Sequence, residues 1–197
     1  MKSFVEKTHM ITQNSITFIS LNSKEEILQL TSPLKLAQNC DQYLYLSTHL
    51  EKDILGNHYF EDLKSLVLAA IFFKDETVLR KALADFKAEC KEEILPDGMH
   101  FELSPMYHKI IFEGMLRVAV ALRGAGRKDQ ETEAYLQPML DVAYSFEDGL
   151  ERVPLFNDGG NNVAKSLYAL QTTAGQYFDL TPSFKGKLES SGFYIFE

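Results

Sequence analysis

Asn57 and His58 follow Gly56 at the start of an apolar helical run, and Tyr107 and His108 follow Ser104-Pro105 at the start of another. A side-chain amide donates hydrogen bonds without bringing a titratable charge of its own. An imidazole can accept a proton near neutral pH, and a phenol can supply one. The set suits acid–base work beside an anionic group that has to be neutralised. Glu102, two residues before the Ser-Pro helix start, and Asp158, within Asn-Asp-Gly-Gly, add carboxylates. Each residue also has a plainer reading. Asn57 fits an ordinary N-cap, His58 and His108 fit partly exposed first-turn positions, and Tyr107 could pack with Phe101 and Met106. Glu102 could be a solvated charge and Asp158 a turn residue.

Helices must position these groups. Pro33 to Leu50 and His58 to Phe73 carry apolar residues at helical spacing. Asp75 can cap a helix through Glu93, with Val78, Leu79, Ala82, Leu83, Phe86 and Cys90 on its apolar face. Pro96 and Asp97-Gly98 mark a turn. Ser104 at the N-cap and Pro105 at the first helical position then open a helix to about Leu122, closed by Gly124 and Gly126. A helix is predicted from about Glu131 to Phe146, a loop through Asn162, and a last helix from Val163 to about Gln171, ending near Gly175. The tail SGFYIFE is aromatic and β-branched and reads as a strand, and the opening ITFISL could pair with it. The expected architecture is all-α, an incomplete α/α toroid of paired helices with a short strand at the C-terminus; an α-solenoid is the alternative. The predicted divisions are a lead segment over 1–32, a helical domain over 33–180 and the start of a curtailed β-region over 181–197.

Composition narrows the partners. The formal net charge over 197 residues is −8, and no Lys/Arg stripe is present to neutralise phosphates, so nucleic acid is an unsuitable partner. An acidic sugar would need a local site that overrides the global field. The longest apolar stretch, Leu66 to Phe73, is too short to cross a bilayer. The N-terminus has charges where a signal peptide needs an apolar run, so the chain as written reads as cytoplasmic. As part of a longer protein it would read as periplasmic or secreted. Cys40 and Cys90 have no metal-ligand spacing and are expected to be buried thiols. No metal or organic cofactor is called for.

Two segments carry a resemblance. LEKDILGNHYFEDLKSL, with Asn57-His58 at a helix start, and LPDGMHFELSPMYH, ending at Tyr107-His108, strongly resemble the heparinase II/III family of polysaccharide lyases. That family has an Asn-His pair beginning one helix and, about one helical hairpin later, a D-G-x-H-F-E-x-S-P-M-Y-H segment. VPLFNDG (Val153 to Gly159) resembles the family's loop near the end of the helical domain, and SGFYIF resembles the strand that enters its β-sandwich. The resemblance covers about Asp41 to the C-terminus. It implies that Asn57 neutralises the uronate carboxylate, that His58 is base or substrate orienter, and that Tyr107 is acid and also a candidate base. Glu102 and His108 support them, and Asp158 is grouped with the substrate-binding residues. Both motifs are expected on one rim. Leu103 stands where the family usually has arginine, which removes a cation from a site expected to meet a carboxylate.

The residues suit the implied chemistry. Eliminating a uronate unit requires removal of the weakly acidic proton beside its carboxylate and expulsion of the 4-linked oxygen. Neutralisation of that carboxylate lowers the cost of the enolate-like intermediate. Three functions remain in competition. One is a lyase on acidic polysaccharide, active alone or with a separate β-sandwich chain as partner. The second is a carbohydrate-binding protein that has lost turnover. The third is a hydrolase using Glu102 as acid and Asp158 as base. The 197-residue chain alone is expected to turn over negligibly, because half of the family's cleft lies in the β-sandwich.

Overall fold

The computed structural model describes residues 33–52, 57–147, 149–150 and 152–196, and side chains from residue 40 onward. The opening ITFISL segment and the lead segment over 1–32 lie outside the described residues. The described chain is mostly helical: α1 (Pro33–Leu46), α2 (Asn57–Phe73), α3 (Glu76–Glu93), α4 (Pro105–Gly124), α5 (Gln130–Ala134), α6 (Leu136–Ser145) and α7 (Leu167–Phe178). Two short strands, β1 (Lys187–Leu188) and β2 (Phe193–Tyr194), pair antiparallel near the C-terminus. The all-α expectation holds. The expected terminal strand pairs with Lys187–Leu188 across a turn at Gly192, whose N–H donates to the Leu188 carbonyl at 2.9 Å. No helix among the described residues is long and apolar enough to cross a membrane.

The chain divides into two compact units. The first holds the described residues up to Phe86 together with Ala121–Gly126, and the second holds Lys87–Val120 and Arg127 onward. In the first, α1 packs on α2. Tyr43 and Leu46 of α1 are buried, and the Tyr43 ring lies 5.0 Å from that of Phe73. Helix α2 is buried on nearly every side from Asp62 to Ala70, and Leu66 to Ala70 forms an unbroken apolar run within that span. The Tyr43 hydroxyl donates to Asp75 Oδ2 at 2.9 Å, while Asp75 Oδ1 caps α3 by accepting from the N–H groups of Thr77 and Val78. Cys40 is exposed, contrary to expectation, whereas Cys90 is buried. Cys40 and Leu44 lie one turn apart on the outer stripe of α1, and Tyr43 and Leu46 occupy the inner one.

In the second unit the core is built from Met99, Ile111, Phe112, Met115, Leu136, Met139 and their neighbours, all fully buried. The Cys90 thiol donates to Met115 Sδ at 3.2 Å inside it. The predicted helix Glu131–Phe146 is two helices that meet at Tyr135. Pro138 is the reason: it tolerates the first turn of α6, but it cannot continue a ladder running in from α5. Asp129 caps α5 by accepting from Thr132 N–H at 2.9 Å. The last helix begins later and runs further than predicted. Ser166 is its N-cap, accepting from Ala169 N–H at 3.2 Å, and Gly175 lies inside it. Asp179 at φ 58 forms the C-cap.

The segment after α7 is fastened along α6. Asp141 Oδ1 accepts from Ser183 N–H at 2.8 Å, and Ser145 Oγ accepts from Lys185 N–H at 2.7 Å. The sheet then closes a small apolar cluster of Met99, Val142, Phe146 and Leu188, against which Leu95, Leu103, Phe193 and Ile195 pack.

Candidate functional site

Asn57 is the first residue of α2 and His58 the second, so the first turn of the helix carries both side chains. His58 is exposed, and its Nδ1 stands 3.3 Å from Glu51 Oε2. Glu51 is held in turn: its N–H donates to Asp62 Oδ2 at 2.9 Å. Asp62 lies one turn beyond His58 on α2 and is almost completely buried. Burial pushes its carboxyl up to about 6; the bond from Glu51 N–H opposes that rise, and the nearby Glu51 carboxylate adds to it. Neither Glu51 nor Asp62 stood out in the sequence. Asp62 is embedded in an amphipathic pattern where an acidic residue reads as solvent-facing, and Glu51 lies outside any helix. The signal that could have found Asp62 is its position on the same stripe as Leu66 and Ala69.

The second motif lies in the second unit. Asp97-Gly98 makes the predicted turn: Gly98 N–H donates to the Leu95 carbonyl, Leu95 N–H donates to the Met99 carbonyl, and Phe101 N–H donates to the Glu93 carbonyl, each at 2.8 Å.

 Gly98 has φ 91, and a Cβ there would stand 2.7 Å from Pro138, so only glycine fits. Asp97 Oδ1 accepts from Met99 N–H at 3.1 Å, and its Oδ2 accepts from both the N–H and the hydroxyl of Ser191. Ser104 Oγ caps α4 by accepting from Tyr107 N–H at 3.3 Å, as its sequence position predicts.

Tyr107 is half-buried on that first turn, and His108 beside it is fully buried. His108 is thus not the partly exposed residue that its plainer reading allowed. Its Nε2 lies 2.9 Å from the Met139 carbonyl oxygen and donates to it, because a carbonyl can only accept. Burial pushes the imidazole down to about 4, with the Met139 bond opposing and His100 adding to the fall. His108 is therefore a neutral ring that fastens α4 to α6. Below it, His100 Nε2 stands 3.5 Å from Glu93 Oε2, both side chains buried. Burial, and then the neighbouring Glu93 carboxylate, push Glu89 up to about 7.

The loop before α7 meets this motif. Asn157 Nδ2 donates to the carbonyl oxygens of Glu102 and Leu103, at 2.9 and 3.2 Å. Glu102 is half-buried and Asp158, next to Asn157, is exposed. Leu103 adopts φ 56 and packs against the Met99–Phe146 cluster. An open groove of about 580 Å³ runs beside the loop, lined by Arg152, Phe156, Asn161, Phe193 and Tyr194 among others. The second unit thus gathers Glu102, Tyr107, His108 and the loop carrying Asp158, while Asn57 and His58 belong to the first. Among the described residues, no group of three or more His, Cys, Asp or Glu side chains is placed to hold a metal ion.

Known proteins share the sequence pattern and the helical fold. Residues 8–185 match the model of the heparinase II/III N-terminus. A heparin-sulfate lyase of Pedobacter heparinus is 28% identical, over 77% of this chain and 26% of the relative. A crystal structure of a heparan sulfate lyase HepC mutant from Pedobacter heparinus superposes with a TM-score of 0.65 at 20% identity, covering 89% of this chain and 29% of that one. A crystal structure of heparinase III gives 0.63 at 18% identity, covering 88% and 28%. The chain spans between a quarter and a third of the length of these relatives.

Proposed function

This chain belongs to the heparinase II/III family through its N-terminal helical domain, and from that premise we propose that it serves β-elimination on a uronate-containing, acidic polysaccharide. Asn57 donates to the uronate carboxylate and so lowers the cost of charge building up beside it. His58 takes the proton next to that carboxylate, and the electron pair left behind forms the double bond as the 4-linked oxygen departs. Tyr107 gives its phenolic proton to that oxygen. Glu102 and Asp158 border the sugar chain, and His108 acts from beneath by fixing the first turn that carries Tyr107. The family's further histidine is placed in a β-sandwich, supplied by the same polypeptide or by a partner chain. The observation that carries this reading is the setting of Tyr107: half-exposed, on a turn capped by Ser104 and anchored through His108.

A second reading is a carbohydrate-binding protein without turnover. Leu103 favours it, since an apolar side chain packed into the Met99–Phe146 cluster offers no cation to a carboxylate. One experiment separates the readings. The protein is mixed with heparan sulfate, with and without a β-sandwich partner, and near-ultraviolet absorbance and melting temperature are followed. An absorbance rise from the conjugated double bond supports elimination. New reducing ends without absorbance indicate hydrolysis, and a melting shift with neither signal indicates binding alone.

A further inference from the structure

Glu51 lies in the first motif but was assigned no role there, and the structure aims its side chain at His58. Its carboxylate is 3.3 Å from His58 Nδ1, and its side chain is mostly covered whereas that of His58 is open to solvent. Its backbone is fixed independently, because Glu51 N–H donates to the buried Asp62 at 2.9 Å. Asp62 lies on α2, the helix that begins with Asn57 and His58. The carboxylate and the imidazole are therefore referred to one rigid element from two directions.

A carboxylate can only accept, so the proton of a neutral imidazole beside it is favoured on the near nitrogen. We propose that Glu51 is a positioning residue for His58: it holds the proton on Nδ1 and leaves Nε2, on the far side of the ring, as the proton acceptor. Asp62 serves the same arrangement through the Glu51 backbone. The charged and titratable groups around the pair are Glu51, Asp62 and Glu61. Lys64 is paired with Glu61, and Lys52 lies over the Tyr59 ring. The inference rests on the reading of His58 as base, but the tautomer it predicts can be measured without substrate.

The test is nitrogen-15 NMR of the labelled full chain at alkaline pH, where long-range proton–nitrogen couplings distinguish the two neutral tautomers. The His58 signals are assigned by their loss in His58→Gln. The wild-type ring should be protonated at Nδ1, and Glu51→Ala should move the majority to Nε2–H, the form preferred by a free side chain. Glu51→Ala leaves the backbone bond to Asp62 in place, so the fold should persist, and the wild-type spectrum decides the point without any variant. An Nε2–H majority in wild type, or a tautomer unmoved by Glu51→Ala, overturns the proposal. If the tautomer behaves as expected but no unsaturated product forms with heparan sulfate and a β-sandwich partner, the elimination reading fails while the positioning of His58 stands.

Discussion

Asp97 receives the backbone N–H of Ser191 at 2.7 Å and its hydroxyl at 2.9 Å, across 94 positions of sequence. The aspartate of the D-G turn therefore fastens the C-terminal hairpin to the segment that leads to Tyr107. Asp97→Ala should destabilise the chain by about 2–3 kcal/mol, since bonds to a charged acceptor are worth about 1.5–3 kcal/mol. Ser191→Ala keeps the backbone bond and should cost about 1 kcal/mol. Urea unfolding of both variants beside wild type checks the order.

Gly98 should admit no side chain. Its φ of 91 and the 2.7 Å approach to Pro138 penalise a Cβ twice, and the clash is with backbone atoms that cannot swing away. Gly98→Ala should lose about 2 kcal/mol or more. A melting temperature equal to wild type would mean that the turn has another geometry.

His108 and Asp62 should impose opposite pH dependences. The His108 pKa is depressed to about 4 in the fold, so its contribution is intact above the unfolded value near 6.5 and is lost progressively as pH falls toward 4. Asp62 is raised to about 6, so the fold favours its protonated form. Its contribution is intact below about 4 and is lost as pH rises through 6. Asp62→Asn should remove the second loss, on the order of 3 kcal/mol at pH 7, because an amide oxygen can still accept from Glu51 N–H. Chemical denaturation from pH 4 to 8 should show a shallower decline on the alkaline side in that variant.

Tyr107→Phe should separate chemistry from binding. Only the phenolic oxygen is removed, so the ring keeps its packing. In an elimination-competent assembly the rate should fall about 10²–10⁴-fold, as for loss of a positioned acid or base, while affinity changes by no more than about 1.5 kcal/mol. A wild-type rate would make the tyrosine a packing residue. Asn57→Ala should instead reduce turnover by removing the amide that meets the carboxylate.

Local signals were legible in the sequence and distant ones were not. Ser104 and Asp75 cap the helices they precede, because capping depends on residues within one turn. The break at Tyr135 was missed although Pro138 announces it, since the apolar spacing continues across both helices. Gly175 suggested a helix end, but the helix runs past it to Phe178 and closes at Asp179. The Asp97–Ser191 and Glu51–Asp62 contacts involve polar residues with no periodic signature, so only the folded chain reveals them. The plainer reading of His108, a partly exposed first-turn residue, fails because the packing of α6 against it buries the ring.

The Asn157 amide grips two successive carbonyls, those of Glu102 and Leu103, from a loop more than fifty residues away. Loop and turn are thereby yoked: a displacement of Phe156 or Asp158 pulls on the backbone immediately before Ser104. Ligand settling on the loop would thus announce itself at the entrance to α4 through this bridge, making the amide resonances of Leu103 and Ser104 a built-in gauge of loop occupancy.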